Sequence, residues 1–243
     1  MAQSGLHGLI GGYAARVCVK AADTPAGVSR AKGLKFGLVL GALIPDVDFF
    51  VLGPLFLVNS RIALTMHRSF THSILTTAVV VALTWLLASG QRRDYLRGFA
   101  VGLGLGILTH LVADVILWFG GIQVLWPLGY VGIHQELNLW AHYQPPRVVS
   151  NLLGALDYVF FGLYYLWLAS AARKAGTDTG FLNRLRLLTN LQWVLAAVFV
   201  ALAVYLSAGG MLFDIAHYAM FILFFFPMCL YVTVKMRETI HAL

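Results

Sequence analysis

Two histidines in one short segment, residues 66–73, are the best candidates in this sequence for chemistry. The segment reads M-H-R-S-F-T-H-S and lies between two apolar runs, with His67 and His72 close together. Imidazole nitrogens are common ligands of zinc and other transition metals. Further imidazoles and carboxylates occur elsewhere in apolar surroundings, so we predict a metal site. Its candidate ligands are His7, Asp46, Asp48, His67, His72, His110 and Asp114.

These ionisable groups lie in apolar segments, where they are costly in free energy. A charged side chain in the middle of a bilayer costs about 2.5–3.5 kcal/mol on insertion scales. A chain tolerates that cost where such groups pair, line a polar cavity or bind a metal. Imidazole and carboxylate together suit Zn²⁺, Mn²⁺ or Fe²⁺. Seven candidates exceed the needs of one tetrahedral ion, so we predict one or two divalent ions, with zinc as the first choice and manganese or iron as alternatives.

The composition predicts that the elements holding these residues cross a membrane. The chain has 243 residues, 60% of them hydrophobic and 11% charged, and its mean hydropathy is +0.80. A soluble domain is about 25% charged, and the helical segments here lack a polar outer face. We therefore predict one all-α domain over residues 1–243, a polytopic transmembrane helical bundle. About seven segments are expected, at 4–20, 33–58, 69–89, 96–120, 150–171, 187–207 and 211–234, with a metal-site core at about 5–130 and additional helices at about 150–236.

The net charge of +7 predicts a topology, and we expect no nucleic-acid partner. Lys and Arg cluster in the predicted loops of one side, as the positive-inside rule requires of a bacterial-type inner membrane protein. Membrane lipids are the expected partner of these clusters. Only three basic residues fall on the other side, namely Arg61, Arg68 and Arg147. The candidate ligands collect on that second side, so the site is predicted to face the periplasm or exterior.

Glycine rows and one proline predict how the ligands are positioned. Pro45, in I-P-D-V-D, disfavours a straight helix, so Asp46 and Asp48 are expected at a kink. Glycines recur every four residues in the second and fourth segments, and the fourth continues the same ladder with His110 and Asp114. Residues 21–32 read as a cytoplasmic linker and residues 59–66 as an outer loop.

The long stretch 121–149 is predicted to be external, and long loops often bind ligands. Its His134, Glu136 and His142 are candidates for substrate binding or further ligation, and a solvated loop is the alternative. Arg68 is either a phosphate clamp, and so both catalytic and substrate-binding, or an ordinary interfacial cation.

Each candidate ligand also has a structural interpretation. His67 and His72 could be interfacial residues at a helix start, and His110 with Asp114 could be a hydrogen-bonded pair without metal. One of Asp46 and Asp48 could bind backbone N–H groups freed at the kink, and either could be the catalytic base. His7, a single histidine among glycines, could simply hydrogen-bond to a neighbouring group. The sequence leaves these alternatives open.

The motifs I-P-D-V-D, H-R-S-F-T-H-S and H-L-V-A-D followed by W-P resemble those of the YdjM-type family of membrane-bound, predicted metal-dependent hydrolases. The resemblance covers roughly residues 5–130 and implies a bacterial or archaeal inner membrane protein. It also implies metal-site roles for Asp46, Asp48, His67, His72, His110 and Asp114, and it matches His7 to the family's usual N-terminal histidine. The family is distantly similar to zinc-dependent phospholipase C, whose further H…H-x-x-x-E ligands have no match here.

From these residues we predict a membrane-embedded metal-dependent hydrolase, a phosphoesterase of phospholipase-like type. Its expected substrate is a phosphoester of a lipid or lipid-linked molecule at the outer face. Asp46, Asp48 and Arg68 are the predicted catalytic residues. Two other classes compete with this interpretation: a metal-ion or proton transporter, and a non-catalytic membrane protein with a structural metal site. A transporter should continue its polar path to the cytoplasmic side, where the second and fourth segments are glycine and aliphatic.

Overall fold

Glycine-rich helices form the first part of the bundle. The computed structural model describes residues 3–20, 22–117, 119–133, 136–206 and 212–243. Helix α1 spans Ser4–Cys18 and α2 spans Pro25–Leu43. The side chain of Thr24 accepts a hydrogen bond from the amide of Gly27, and Pro25 occupies the first turn, so α2 begins there. The linker predicted over residues 21–32 is therefore wrong from Pro25 onward.

The break predicted at Pro45 is confirmed. Helix α2 ends at Leu43, and a 3₁₀ turn over Ile44–Asp48 separates it from α3, Phe49–Val58. A further helix, α4, spans Ser60–His67, so the prediction of a loop over 59–66 is wrong. The backbone amide of Ala63 bonds to the carbonyl of Asn59, which starts this short helix without a glycine or proline signal.

The motif around His72 forms a tight bend between helices. A 3₁₀ turn spans Phe70–His72, and the Ser73 hydroxyl then caps α5, Ile74–Leu86, by accepting from the amides of Leu75 and Thr76. After this apolar helix, α6 spans Arg93–Leu117 and carries His110 and Asp114.

Backbone contact between α2 and α6 follows from their glycine rows. A Cβ atom at Gly102 would collide with the carbonyl of Leu34, and one at Gly37 would collide with the carbonyl of Phe99. Glycine removes those obstacles, so the two helices pack closely, as small-residue rows allow in membranes. This contact brings the C-terminal end of α6 against the break after α2.

A small hairpin covers the His67–His72 bend. Strand β1, Ile122–Gln123, pairs antiparallel with β2, Glu136–Leu137. The amide of Gln123 donates to the Arg68 carbonyl at 2.8 Å, and the Ser73 hydroxyl donates to the Trp126 carbonyl at 2.7 Å. These bonds hold the stretch after α6 over the motif.

The second half of the chain is a helical layer rich in buried aromatic residues. It begins with α7, Arg147–Ala175, and α8, Leu182–Tyr205. Then follow α9, Leu212–Met220, a π-helical turn, Phe221–Phe225, α10, Phe226–Lys235, and the short α11, Arg237–His241. Rings from α7 and from the α9–α10 region form the centre of the core, including Tyr158, Phe161, Phe221 and Phe226.

Five helical stretches in the described part of the chain are long and apolar enough to cross a bilayer. They are Pro25–Leu55, Gly90–Leu117, Arg147–Ala175, Thr179–Tyr205 and Leu212–Lys235. Helix α5 is a shorter apolar helix of the same bundle. The predicted fold class, an all-α multi-pass bundle, is confirmed, and about seven helical segments agrees with it.

Candidate metal centre

The structure brings all seven predicted ligands into one buried cluster. Helix α1 supplies His7, and the 3₁₀ turn at Pro45 supplies both aspartates. The bend before α5 supplies two histidines, and α6 supplies the last imidazole and carboxylate. Asp48 is the most exposed member, at 8%. The cluster consists of His7, Asp46, Asp48, His67, His72, His110 and Asp114.

Six of these residues form two adjacent groups, each able to hold a metal ion. The first group is Asp46, His67 and His72, and the second is His7, His110 and Asp114. In each group the candidate ligand atoms all lie within 4.8 Å of one another.

Candidate ligand atoms of the two groups lie close to one another. The Nε2 atoms of His72 and His110 are 3.2 Å apart. The two carboxylate oxygens of Asp114 face different imidazoles, with Oδ1 3.1 Å from His7 Nε2 and Oδ2 3.3 Å from His72 Nε2. Asp46 Oδ1 lies 3.8 Å from His67 Nε2 and 3.7 Å from His110 Nε2. Asp114 is therefore placed to bridge two ions.

Hydrogen bonds orient two of the rings so that Nε2 faces the cluster. His110 Nδ1 lies 2.8 Å from the carbonyl oxygen of Ala42, and His67 Nδ1 lies 2.7 Å from Asp48 Oδ1. Carbonyl and carboxylate oxygens only accept, so both Nδ1 atoms carry the proton. In the neutral ring each Nε2 then presents a lone pair, which is the arrangement that metal-binding histidines adopt.

Thr71 orients the third ring. Its hydroxyl donates to Asp48 Oδ2 at 2.8 Å and lies 3.0 Å from His72 Nδ1. The hydroxyl has a single proton and two oxygen acceptors, Asp48 Oδ2 and, at 3.1 Å, the His67 carbonyl, so we assign His72 Nδ1 as the donor toward Thr71. His72 Nε2 is thereby also left with a lone pair directed at the cluster.

The spacing of these atoms fits a shared ion. Two ligands bound about 2.0–2.1 Å from a tetrahedral Zn²⁺ lie about 3.3 Å apart. The separations of 3.1–3.8 Å between facing donor atoms bracket that value. Asp46 Oδ1 is also a buried oxygen without a hydrogen-bond partner among the described residues. A buried carboxylate oxygen needs a counter-charge or a donor, and a cation would satisfy it.

Burial keeps the two histidines of the bend in the neutral form that a metal requires. His67 and His72 precede α5 and lie outside the five candidate spans. Burial lowers the pKa of His67 well below its ordinary value and lowers the pKa of His72 to about 4. Both rings are therefore neutral at pH 7 and available as ligands.

The two upstream aspartates occupy different positions. Asp46 directs Oδ1 toward His67 and His110, while its Oδ2 accepts from the Ser4 hydroxyl at 2.6 Å. Asp48 has both oxygens occupied, by His67 Nδ1 and the Thr71 hydroxyl. It belongs to neither group of ligands in the structure.

Arg68 lies at the edge of the cluster beneath the hairpin. A Cβ atom at Gly120 would collide with its guanidinium, which shows that the side chain crosses that glycine. Burial lowers the pKa of Arg68, while the negative charges of Asp114 and Glu136 act in the opposite direction. The guanidinium remains a cation.

The loop candidates are placed less centrally. Glu136 is exposed on β2, and its side chain lies against Gly121. His142 is exposed in a turn and belongs to neither ligand group. His134 lies outside the described residues.

Sequence reasoning missed the groups that hold the ligands in place. Ser4 bonds to Asp46, Thr71 bonds to Asp48 and His72, and the Ala42 carbonyl accepts from His110. Ser4 lies three residues before His7 on the same helix face, a signal that could have identified it. A separate buried pair, Asp157 and His217 at 3.1 Å, joins α7 to α9 and is not part of either group.

Comparison with known proteins gives one family and no individual relative. No curated protein and no solved structure matches the chain. The family model described as YdjM inner membrane protein matches residues 1–239. With its five candidate spans, the chain is a multi-pass protein that belongs to the YdjM inner membrane protein family.

Proposed function

We propose that this protein is a metal-dependent hydrolase that cleaves a phosphoester of a lipid or lipid-linked molecule at the periplasmic or exterior face. The observation that supports it best is the pair of three-residue ligand groups. Asp114 lies between the two groups and could bridge their ions. Two adjacent ions that share a carboxylate are the arrangement that many metal-dependent phosphoesterases use, which favours chemistry over a structural metal.

The donor set favours zinc, with manganese or iron as alternatives. Imidazole nitrogens outnumber carboxylates in the combined cluster, and their spacing suits tetrahedral coordination. Asp46, His67 and His72 would hold one ion, and His7, His110 and Asp114 the other. When bound, two neighbouring divalent ions lower the pKa of water and neutralise charge on a phosphoryl group.

The protein residues around the ligands have positioning roles in this proposal. Asp48 and Thr71 orient His67 and His72, and Ser4 orients Asp46. We expected Asp48 to be a ligand or the base. Because both of its oxygens accept hydrogen bonds from protein donors, we now assign it to orientation, and Asp46 is the carboxylate that faces the reaction centre.

Arg68 is proposed to bind the phosphoryl group. Its guanidinium lies at the cluster edge, stabilised by Asp114 and Glu136, and guanidinium geometry matches phosphate oxygens. A fixed cation at that place would stabilise the charge that develops during phosphoester cleavage. Membrane lipids are the substrates that reach such a site most easily.

The packing of α2 against α6 argues against the transporter alternative. In the described part of the chain these two helices meet through the backbone at Gly37 and Gly102, with no room for a side chain between them. A polar path between α2 and α6 toward their basic ends is therefore closed.

Metal analysis of purified variants tests the proposal. Wild-type protein should contain zinc, manganese or iron and hydrolyse phosphatidic acid in detergent. His110→Ala and Asp114→Asn should lose the metal of their group and the activity. Asp94→Asn, an exposed carboxylate change on the same α6 helix, is the control and should behave as wild type. Full metal content and full activity in His110→Ala and Asp114→Asn would refute the proposal.

A further inference from the structure

An apolar furrow runs along the outside of the cluster between α1 and α6. It has a volume of about 580 Å³, and α2 forms its floor. Leu38 and Ala113 are buried at the bottom, whereas Leu105, Leu108 and Val112 form an exposed rim. We call it the α1–α6 furrow.

Its lining offers water few polar partners. Apart from the thiol of Cys18, which hydrogen-bonds only weakly, the one polar side chain is Thr109, whose hydroxyl donates to the Gly106 carbonyl at 2.7 Å and is therefore satisfied. An apolar cavity stays dry unless polar partners are available. The rim lies on α6, a candidate membrane span, so in a bilayer the furrow would open to hydrocarbon.

The furrow and the metal centre share their walls. Thr109 and Ala113 line the furrow and directly precede His110 and Asp114. On α1, Ile10 lines it one turn after His7. The stacked rings of His7 and His110, 3.8 Å between centroids, join the two helices beside the cluster.

The part of the furrow between Leu105 and the level of Asp114 is about as long as one leaflet is thick. Helix α6 rises 1.5 Å per residue, so Leu105 lies about 14 Å from the level of Asp114 along the helix axis. Half of a bilayer core of about 30 Å is close to that distance. An acyl chain whose headgroup end lies at the level of Asp114 would reach the bilayer centre along this wall of the furrow.

We propose that the α1–α6 furrow binds an acyl chain of the lipid whose phosphoester lies at the cluster. The inference rests on the proposed function, because it assigns the tail of that substrate. It predicts that the protein selects a phospholipid with a chain long enough to fill the furrow. The phosphate and the chain then bind together, so a lipid without the phosphate occupies the furrow less.

Photolabelling tests where the chain lies. The full-length protein is reconstituted in vesicles of phosphatidylethanolamine and phosphatidylglycerol. A trace of a phosphonate analogue of phosphatidic acid, with a diazirine in its acyl chain, is added and irradiated. Adducts mapped by mass spectrometry should concentrate on residues 10–19 and 105–117. Diacylglycerol with the same diazirine chain should label these residues several-fold less.

Two matched variants give the control. Ala14 lines the furrow, and Ala201 is exposed on α8. Ala14→Phe should fill the furrow and lower labelling several-fold without loss of metal, whereas Ala201→Phe should leave labelling unchanged. Labelling spread evenly over the apolar surface, labelling insensitive to Ala14→Phe, or equal labelling by both lipids would overturn the inference.

The readouts separate this inference from the proposed function. Labelling needs no turnover, so a labelled furrow in a protein without hydrolase activity would refute the hydrolase and leave the lipid site standing. A change of oligomer mass on Ala14→Phe, with no lipid adducts in the wild type, would assign the furrow to a second copy of the chain and refute the lipid site.

Discussion

The Nε2 atoms of His72 and His110 lie 3.2 Å apart, each with Nδ1 committed to an acceptor. Two lone pairs at that distance repel each other. The nearby oxygens of Asp46 and Asp114 only accept, when ionised, so they cannot relieve the repulsion. A proton on one Nε2 or a metal cation between these atoms converts the repulsion into attraction, and the hydrogen bonds to Nδ1 hold both rings in the orientation that a metal would use.

The two upstream aspartates should respond differently to substitution. Asp46→Asn removes an anionic ligand and should abolish metal binding to the first group. Asp48→Asn should preserve binding but weaken it by about 10–100-fold, the usual effect of losing an orienting partner. An amide offers one acceptor, and His67 and Thr71 both present donors to Asp48, so one contact must fail.

A zinc titration in competition with a chelator measures both effects. At saturating zinc, Asp48→Asn should reach the wild-type stoichiometry and Asp46→Asn should not. If Asp46→Asn retained full stoichiometry while Asp48→Asn lost it, the assigned roles would have to be exchanged.

The residue types were enough to predict the members of the cluster, but the sequence did not predict the direction in which each side chain points. An ionisable group in an apolar segment carries a free-energy cost of insertion into lipid, which a partner must offset. This applies to His67, His72, His110 and Asp114. The different roles of the aspartates depend on the 3₁₀ turn after Pro45, because its tighter winding decides where each carboxylate points. No spacing rule for a regular helix predicts that direction.

At the scale of elements, the contact between α2 and α6 sets the position of His110. Gly37 and Gly102 meet the backbone of the opposite helix, so no side chain separates the two. His110 can then reach the carbonyl of Ala42, in the last turn of α2 just before the break. The glycine rows therefore fix the distance between the two halves of the ligand set.

Gly102→Ala should lower both stability and metal affinity. Its Cβ would collide with the Leu34 carbonyl, and rigid backbone on both sides leaves only helix separation to relieve it. We expect destabilisation of about 1–3 kcal/mol, the usual cost of overpacking. Thermal unfolding in detergent and the zinc titration measure the two effects.

Gly180→Ala is the control for this change. Nothing lies within 4 Å of a Cβ at Gly180, so its stability and metal affinity should match wild type. Unchanged unfolding and zinc affinity in Gly102→Ala would mean that the close α2–α6 contact is not needed for the site.

The errors in the predicted elements have physical causes. The linker over residues 21–32 was predicted from Asp23-Thr24-Pro25 and the basic residues that follow, although Thr24 and Pro25 form a helix start. Residues 59–66 were predicted to be an outer loop. The structure forms α4 there, and the Asn59 side chain caps it by accepting from the amide of Ile62 at 3.1 Å, a local signal that the loop prediction overlooked. The helix delivers His67 to Asp48.

At the scale of the whole molecule, the basic ends of the helices gather at one end of the bundle. The Lys35 ammonium of α2 donates to the His241 carbonyl, and the Tyr95 hydroxyl of α6 lies 3.2 Å from His241 Nε2. The amide of Thr239 donates to Asp178, which joins the α7–α8 connection to the same place. The metal centre lies toward the opposite ends of α2 and α6, so charge and site are segregated along the bundle.

This segregation predicts the orientation in the membrane. The positive-inside rule places the basic end in the cytoplasm, so the metal centre should face outward. Single cysteines can report which side of the membrane a residue faces, in a background that carries Cys18→Ser and Cys229→Ala. Gln144→Cys lies after the hairpin, and Ser89→Cys lies before the basic start of α6. Both positions are exposed. In intact spheroplasts a membrane-impermeant maleimide should label Gln144→Cys at once and Ser89→Cys only after permeabilisation. The reverse pattern would place the cluster at the cytoplasmic leaflet, and the lipid supplied to it would then have to come from that leaflet, although the ligand geometry would be unchanged.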